Sequence, residues 1–130
     1  MAARIVLAVI GVVYILTAAW CALKPVSTAA AIGLDLSGGS GRSEYFTVYG
    51  GLQTALGLIF LAPLVSPSLT WPVLAGCFVI HAVLVVFRTL SLFLFSGIGS
   101  TTHLFAGLEW LLLLVAGVTL WLSRGQQGAV

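Results

Sequence analysis

PVLAGCFVIHAVLVVFRTLSLFLF (72–95), SGIGS (96–100) and TTHLFAGLEWLLLLVAGVTLWL (101–122) follow one another in the second half of the chain and decide how it folds. Crossing the hydrocarbon core of a membrane takes roughly 20 mainly apolar residues in a helix, because each advances about 1.5 Å across a layer about 30 Å thick. Both long runs suffice. Pro72 is a favoured first helical residue, and Ser100, Thr101 and Thr102 are good N-capping types. The short connection between the runs makes them antiparallel neighbours.

Working outward, two further stretches have the same character: Ile5 to Leu23, stopped by Pro25, and about Tyr45 to Val65, ending just after Pro63. The connection Ser66 to Trp71 is short, so the second span also lies antiparallel beside the third. Of 130 residues 61% are hydrophobic and 6% charged, with a net charge of +2, and the mean hydropathy is +1.21. A globular domain carries about a quarter charged residues, which excludes a soluble enzyme, a nucleic-acid binder and a secreted disulfide module. The expected fold is all-α: a four-helix antiparallel transmembrane bundle. It forms one integral membrane domain over 1–130, with spans of about 5–23, 45–65, 72–95 and 101–122.

The first loop, Pro25 to Ser43, is longer. Ser27 to Ile32 can form a short helix lying in the interface, and Ser37-Gly38-Gly39-Ser40-Gly41 has flexible-linker composition. A slack connector is favoured over a lid on the helix ends. The charged start and apolar run also describe a signal peptide, but the run is long, and Trp20 and Cys21 suit a cleavage site poorly. Trp20 and Tyr45 fall at the first-loop interface, Trp71 and Trp121 at the opposite one, as aromatic belts require. An uncut first span puts both termini on one side. Arg4 and Arg124 nearly balance Lys24 and Arg42, and the N-terminal amine tips the sum toward cytoplasmic termini. Cys21 and Cys77 lie at opposite interfaces, too far apart for a disulfide. No spacing suggests a metal site, and no cofactor motif is present.

Only Arg88 and Glu109 carry charge well inside the spans, each at about 2.5 to 3.5 kcal/mol near a helix centre. Arg88 lies about 10 Å from the exit at Phe95 and Glu109 about 12 Å from the start at Thr101, on the same side of the membrane. A bidentate ion pair at equal depth follows. The stripe Tyr45, Tyr49, Gln53 descends from the first-loop side to a similar layer, as does Tyr14 in the first span, and Glu44 sits at the mouth within reach of a snorkelling arginine. The candidate ligand-binding cluster is therefore Tyr14, Glu44, Tyr49, Gln53, Arg88 and Glu109. His81 and His103 are most simply a neutral interhelical histidine and a partly wet helix start. Small residues let helices approach closely in lipid. Gly11, Ala18 and Cys21 share a face with Tyr14, and Thr102, Ala106 and Ala116 share one with Glu109. Gly50, Gly51 and Gly57, with Thr47 and Thr54, cover the side of the second span away from its tyrosines, so Gly11, Gly50, Gly51 and Gly57 are read as packing positions.

Gly33-Leu34-Asp35 followed by Ser40-Gly41-Arg42-Ser43-Glu44, then Tyr49-Gly50-Gly51, Arg88 and Glu109, resembles a bacterial membrane family known as domain of unknown function 4345. The likeness covers nearly the whole chain and departs at Tyr45-Phe46, where that family more often has a basic residue nearby. It implies a four-helix protein of the bacterial inner membrane and singles out Glu44, Tyr49, Gly50, Gly51, Arg88 and Glu109, without naming a ligand or an activity.

Three functions compete. One is binding of a lipid or small amphiphile, or service as an accessory or scaffold subunit, with membrane lipids, a second copy or a membrane protein as partner. The second is proton-coupled transport by a homo-oligomer, with Glu109 or Glu44 as proton carrier; neither internal repeats nor broken helices favour it. The third is an intramembrane enzyme, for which there is no nucleophile, metal set or cofactor motif. Arg88 with Glu109 serves either as a register lock alone or as the centre of a functional site.

Overall fold

The computed structural model describes residues 1–124; residues 125–130, the tail of the domain drawn over 1–130, lie outside the described residues. Helix α1 spans Ala2–Leu23 and α2 Pro25–Ala31. Helix α3 runs Gly38–Val65, α4 Thr70–Leu94 and α5 Ser100–Arg124. All but α2 are long and apolar enough to cross a membrane, so the chain is a small multi-pass membrane protein with an all-α bundle fold. Large side chains such as Leu16, Phe87 and Leu104 stand on its outer surface. Apolar cover of that extent suits lipid rather than water.

Within each span a single stripe is buried. In α1 it is Ala3, Leu7, Ile10, Gly11, Ala18 and Cys21, and in α4 it is Leu74, Cys77, His81 and Val85. Steps of three and four residues keep each set on one face. Pro72 stands third in α4 rather than first. It is tolerated there because N–H groups in a first helical turn have no intrahelical partner to lose.

Helices α1 and α3 form one antiparallel pair. A Cβ on Gly11 would lie 2.9 Å from the Gly57 carbonyl oxygen, and one on Gly57 would lie 2.9 Å from that of Gly11. Further along, a Cβ on Gly50 would meet Ala22 at 3.4 Å. These three glycines pack as the sequence suggested. Gly51 does not: it is exposed, with nothing within 4 Å of its Cβ position. Thr47 is likewise exposed. Adjacent residues in a helix point about 100° apart, so Gly50 and Gly51 cannot both face α1.

Helices α4 and α5 form the second pair, with Phe78 against Gly117 at one end and Arg88 against Glu109 at the other. Contact between α3 and α4, expected from their short connection, is thinner than either pairing. The two hairpins close on each other at the end remote from the first loop, where Leu7, Ile10, Phe60, Leu74, Cys77 and Ala116 form a buried apolar core.

At the first-loop end the core is different. Cys21, Ala29 and Tyr45 come only from α1, α2 and α3, and the α4–α5 hairpin stands apart. The loop is not a slack connector, because α2 buries Thr28 and Ala29 against that core. The glycine-rich stretch read as a linker is helical: α3 begins at Gly38, before the expected Tyr45. Extending an existing helix avoids the cost of nucleation, which leaves about 1 kcal/mol of propensity loss per glycine. Ile32 and Leu36 pack beside Tyr45 and hold the extension in place.

Candidate functional site

The gap between the hairpins at the first-loop end is a cavity of about 400 Å³ lined from all five helices, a size typical of small-ligand sites. Its floor is the predicted ion pair. Arg88 Nε donates to Glu109 Oε2 and Nη2 to Oε1, both at 2.9 Å. Exposure of the side chains is 32% for Arg88 and 19% for Glu109, so the pair faces the cavity rather than being sealed in the core. Five N–H donors belong to a guanidinium; the two bonds to Glu109 leave three with no protein acceptor among the described residues.

The α3 wall is built by a local irregularity. Phe46–Leu52 winds as a π-helix. In an α-helix a step of four residues overshoots a full turn by about 40°, and the wider π turn takes back part of that overshoot. Tyr45, Tyr49 and Gln53 therefore stand nearly in line, and the Tyr45 and Tyr49 rings stack with centroids 4.4 Å apart and planes at 17°. π-Turns inside α-helices recur at functional sites. Below Tyr49, Gln53 lines the cavity and its Oε1 is enclosed without a hydrogen-bond partner. Opposite, Thr101 and Thr102 bring two hydroxyls from the first turn of α5.

The structure thus brings together four of the six candidate ligand residues: Tyr49, Gln53, Arg88 and Glu109. Glu44 is exposed and outside the lining; it stands one residue, about 100°, from the inward-facing Tyr45. Tyr14 is outside the lining and turns to a partner deeper in the bundle. Its hydroxyl lies 3.3 Å from Nε2 of the fully buried His81. The Cys77 carbonyl, 2.8 Å from His81 Nδ1, can only accept, so Nδ1 carries a proton and Nε2 accepts from Tyr14 in the neutral ring. Phe60 meets the Tyr14 ring edge-on, with centroids 5.3 Å apart. This trio belongs to the packed core beneath the cavity.

No family model, curated protein or solved structure matches this chain. Its function must be read from the cavity's own chemistry.

Tyr45, near the first-loop end of α3, is buried within the protein. Thr28 gives its proton to the Lys24 carbonyl at 2.8 Å, so the Tyr45 hydroxyl, 3.0 Å away, donates to Thr28 Oγ1. The bond latches α2 to α3 and makes the first loop a roof. Four-residue spacing with Tyr49 and Gln53 was the signal that Tyr45 faces inward. Nothing comparable marks Trp20, Ile32, Leu34 or Phe105, which also line the cavity. Trp20 and Leu34 are 57% and 42% exposed, so large apolar side chains stand at the rim, with Thr101 and Thr102 at the same end, while the ion pair and Gln53 lie deeper. Among the described residues no group of His, Cys, Asp and Glu could hold a metal.

Proposed function

We propose that this membrane protein binds a small amphiphile, taken up head-first into the cavity between its hairpins. The reading rests on one observation: the ion pair and the Gln53 amide lie at the bottom of the cavity, while Trp20 and Leu34 stand exposed at its rim. A site for a water-soluble solute has no use for a rim of Trp20 and Leu34. A lipid-derived molecule does, because its tail stays among apolar side chains while its head reaches donors and acceptors in low dielectric, where hydrogen bonds are electrostatically stronger. Spare Arg88 N–H groups, the Gln53 amide and the Tyr49 hydroxyl await such a head. Transport is the weaker reading, since the core of Leu7, Ile10, Phe60 and Leu74 fills the bundle directly below the floor.

The test is native mass spectrometry of protein taken gently from its membrane. Wild type should carry one amphiphile per chain. Ala31→Trp, which puts an indole at an exposed lining position, should remain folded by circular dichroism and lose that occupant. An empty wild-type protein, or an occupant retained equally by folded Ala31→Trp, would refute the proposal.

A further inference from the structure

We infer that the head held by this site is uncharged and carries hydroxyl groups, as in a monoacylglycerol or a related polyol-headed amphiphile; the inference rests on the amphiphile reading above. The first argument is charge. Among the described residues Arg88 and Glu109 are the only formally charged ones in the lining, and they are bonded to each other, so the lining they describe is neutral. A phosphate or carboxylate head would add a charge with no free cation to meet it, at a depth where isolated charge is costly. To compete for Arg88 it would have to displace Glu109 from two bonds of 2.9 Å and leave that carboxylate unpaired.

The second argument is the balance of donors and acceptors. Gln53 Oε1 is enclosed and lacks a partner, and a buried acceptor left unpaired is destabilising. As the side chain stands no ligand reaches that oxygen, but turning the amide over exchanges it with Nε2 and presents it to the cavity, where a donor can meet it. The three spare Arg88 N–H groups call for acceptors. An ionised carboxylate or phosphate group supplies acceptors only, and an ammonium donors only. A hydroxyl supplies both, and meets the Gln53 amide whichever way its oxygen and nitrogen are turned. Two hydroxyls on one head could serve Gln53 and Arg88 together, with the Tyr49 hydroxyl able to act in either sense.

Protein in phosphatidylcholine nanodiscs would be titrated with 1-monooleoylglycerol, methyl oleate, oleate and oleoyl lysophosphatidate. Brominated chains would report binding by quenching Trp20 at the rim, with Trp20→Phe as the control for the other tryptophans. Monooleoylglycerol should bind about tenfold or more tightly than either anion, and several-fold more tightly than methyl oleate, which has the ester but no hydroxyl. Glu109→Gln leaves Arg88 uncompensated and should reverse the order in favour of oleate. Should that variant fold poorly, Gln53→Leu serves: it should erase the advantage of monooleoylglycerol over methyl oleate. An anion preferred by wild type, or an unchanged preference in a folded Glu109→Gln or Gln53→Leu protein, overturns the inference while leaving the amphiphile site standing. Binding of none of the four overturns both.

Discussion

Neutralising Arg88 and Glu109 singly and together tests whether the pair works as one unit. Arg88→Gln removes two charge-assisted bonds of 2.9 Å, each worth about 1.5–3 kcal/mol, and leaves a carboxylate without its cation. Breaking a fully buried pair in this way costs about 3–5 kcal/mol. Here 32% and 19% of the two side chains remain accessible, so water in the cavity offsets part of the loss, and about 2–3 kcal/mol is expected. Glu109→Gln should cost less, about 1–2 kcal/mol, because its amide oxygen still accepts one bond and the long arginine can snorkel toward the nearby interface. The double variant carries no charge and keeps nearly the same shape, so it should fall within about 1 kcal/mol of wild type. Equilibrium unfolding by dodecyl sulfate from mixed micelles, followed by circular dichroism, measures all four proteins. The expected coupling, the two single losses less that of the double variant, is about 2–5 kcal/mol. If the double variant instead loses the sum of the two single losses, Arg88 and Glu109 act independently and the bidentate pair is not what holds the floor.

The same unfolding assay checks the other contacts. Gly57→Ala puts a methyl 2.6 Å from Ile15 Cγ1 and 2.9 Å from the Gly11 carbonyl oxygen, and should destabilise by about 1–3 kcal/mol; Gly51→Ala, with open space around it, should be neutral or stabilising by up to about 1 kcal/mol. Tyr14→Phe should cost about 1–3 kcal/mol by leaving His81 Nε2 buried without its donor; an unchanged midpoint would show that the 3.3 Å contact contributes nothing. Tyr45→Phe removes the donor to Thr28 and should speed amide hydrogen exchange in Pro25–Ala31 while leaving the α4–α5 hairpin unaffected.

The spans were legible because the bilayer imposes one length and one polarity on them, and Pro25, Pro63 and the Ser-Thr-Thr run at 100–102 punctuate them. The ion pair was legible because depth can be counted along a straight helix at about 1.5 Å per residue. Azimuth is harder. Glu44 and Tyr45 share a depth but not a direction, and the π-turn at Phe46–Leu52 shifts phase in a way no three-to-four periodicity announces. Tyr14 shows a second difficulty: counted depth set it level with the cluster, yet its hydroxyl turns to His81 in α4, which offers a lone pair. Gly38 to Ser43 shows a third. Composition alone reads as flexible, but a helix already nucleated in the membrane continues through glycine when Ile32 and Leu36 cover its inner side.

The cavity follows from how unevenly the two hairpins meet. At the closed end they interlock through small or well-fitted residues, with Cys77 and Ala116 fully buried. At the first-loop end each hairpin satisfies itself: Tyr45 bonds to Thr28 within the first, and Arg88 bonds to Glu109 within the second. No hydrogen bond among the described residues joins the two hairpins at this end, while groups with spare capacity, Gln53 on one hairpin and Arg88 on the other, line the same gap. A head that engaged both would bridge the hairpins and tighten the open end. On the amphiphile reading, occupancy should therefore slow hydrogen exchange in α2 and in the first turns of α5 together, though these segments belong to different hairpins. Protection confined to one of them would mean that the bound molecule sits against a single wall.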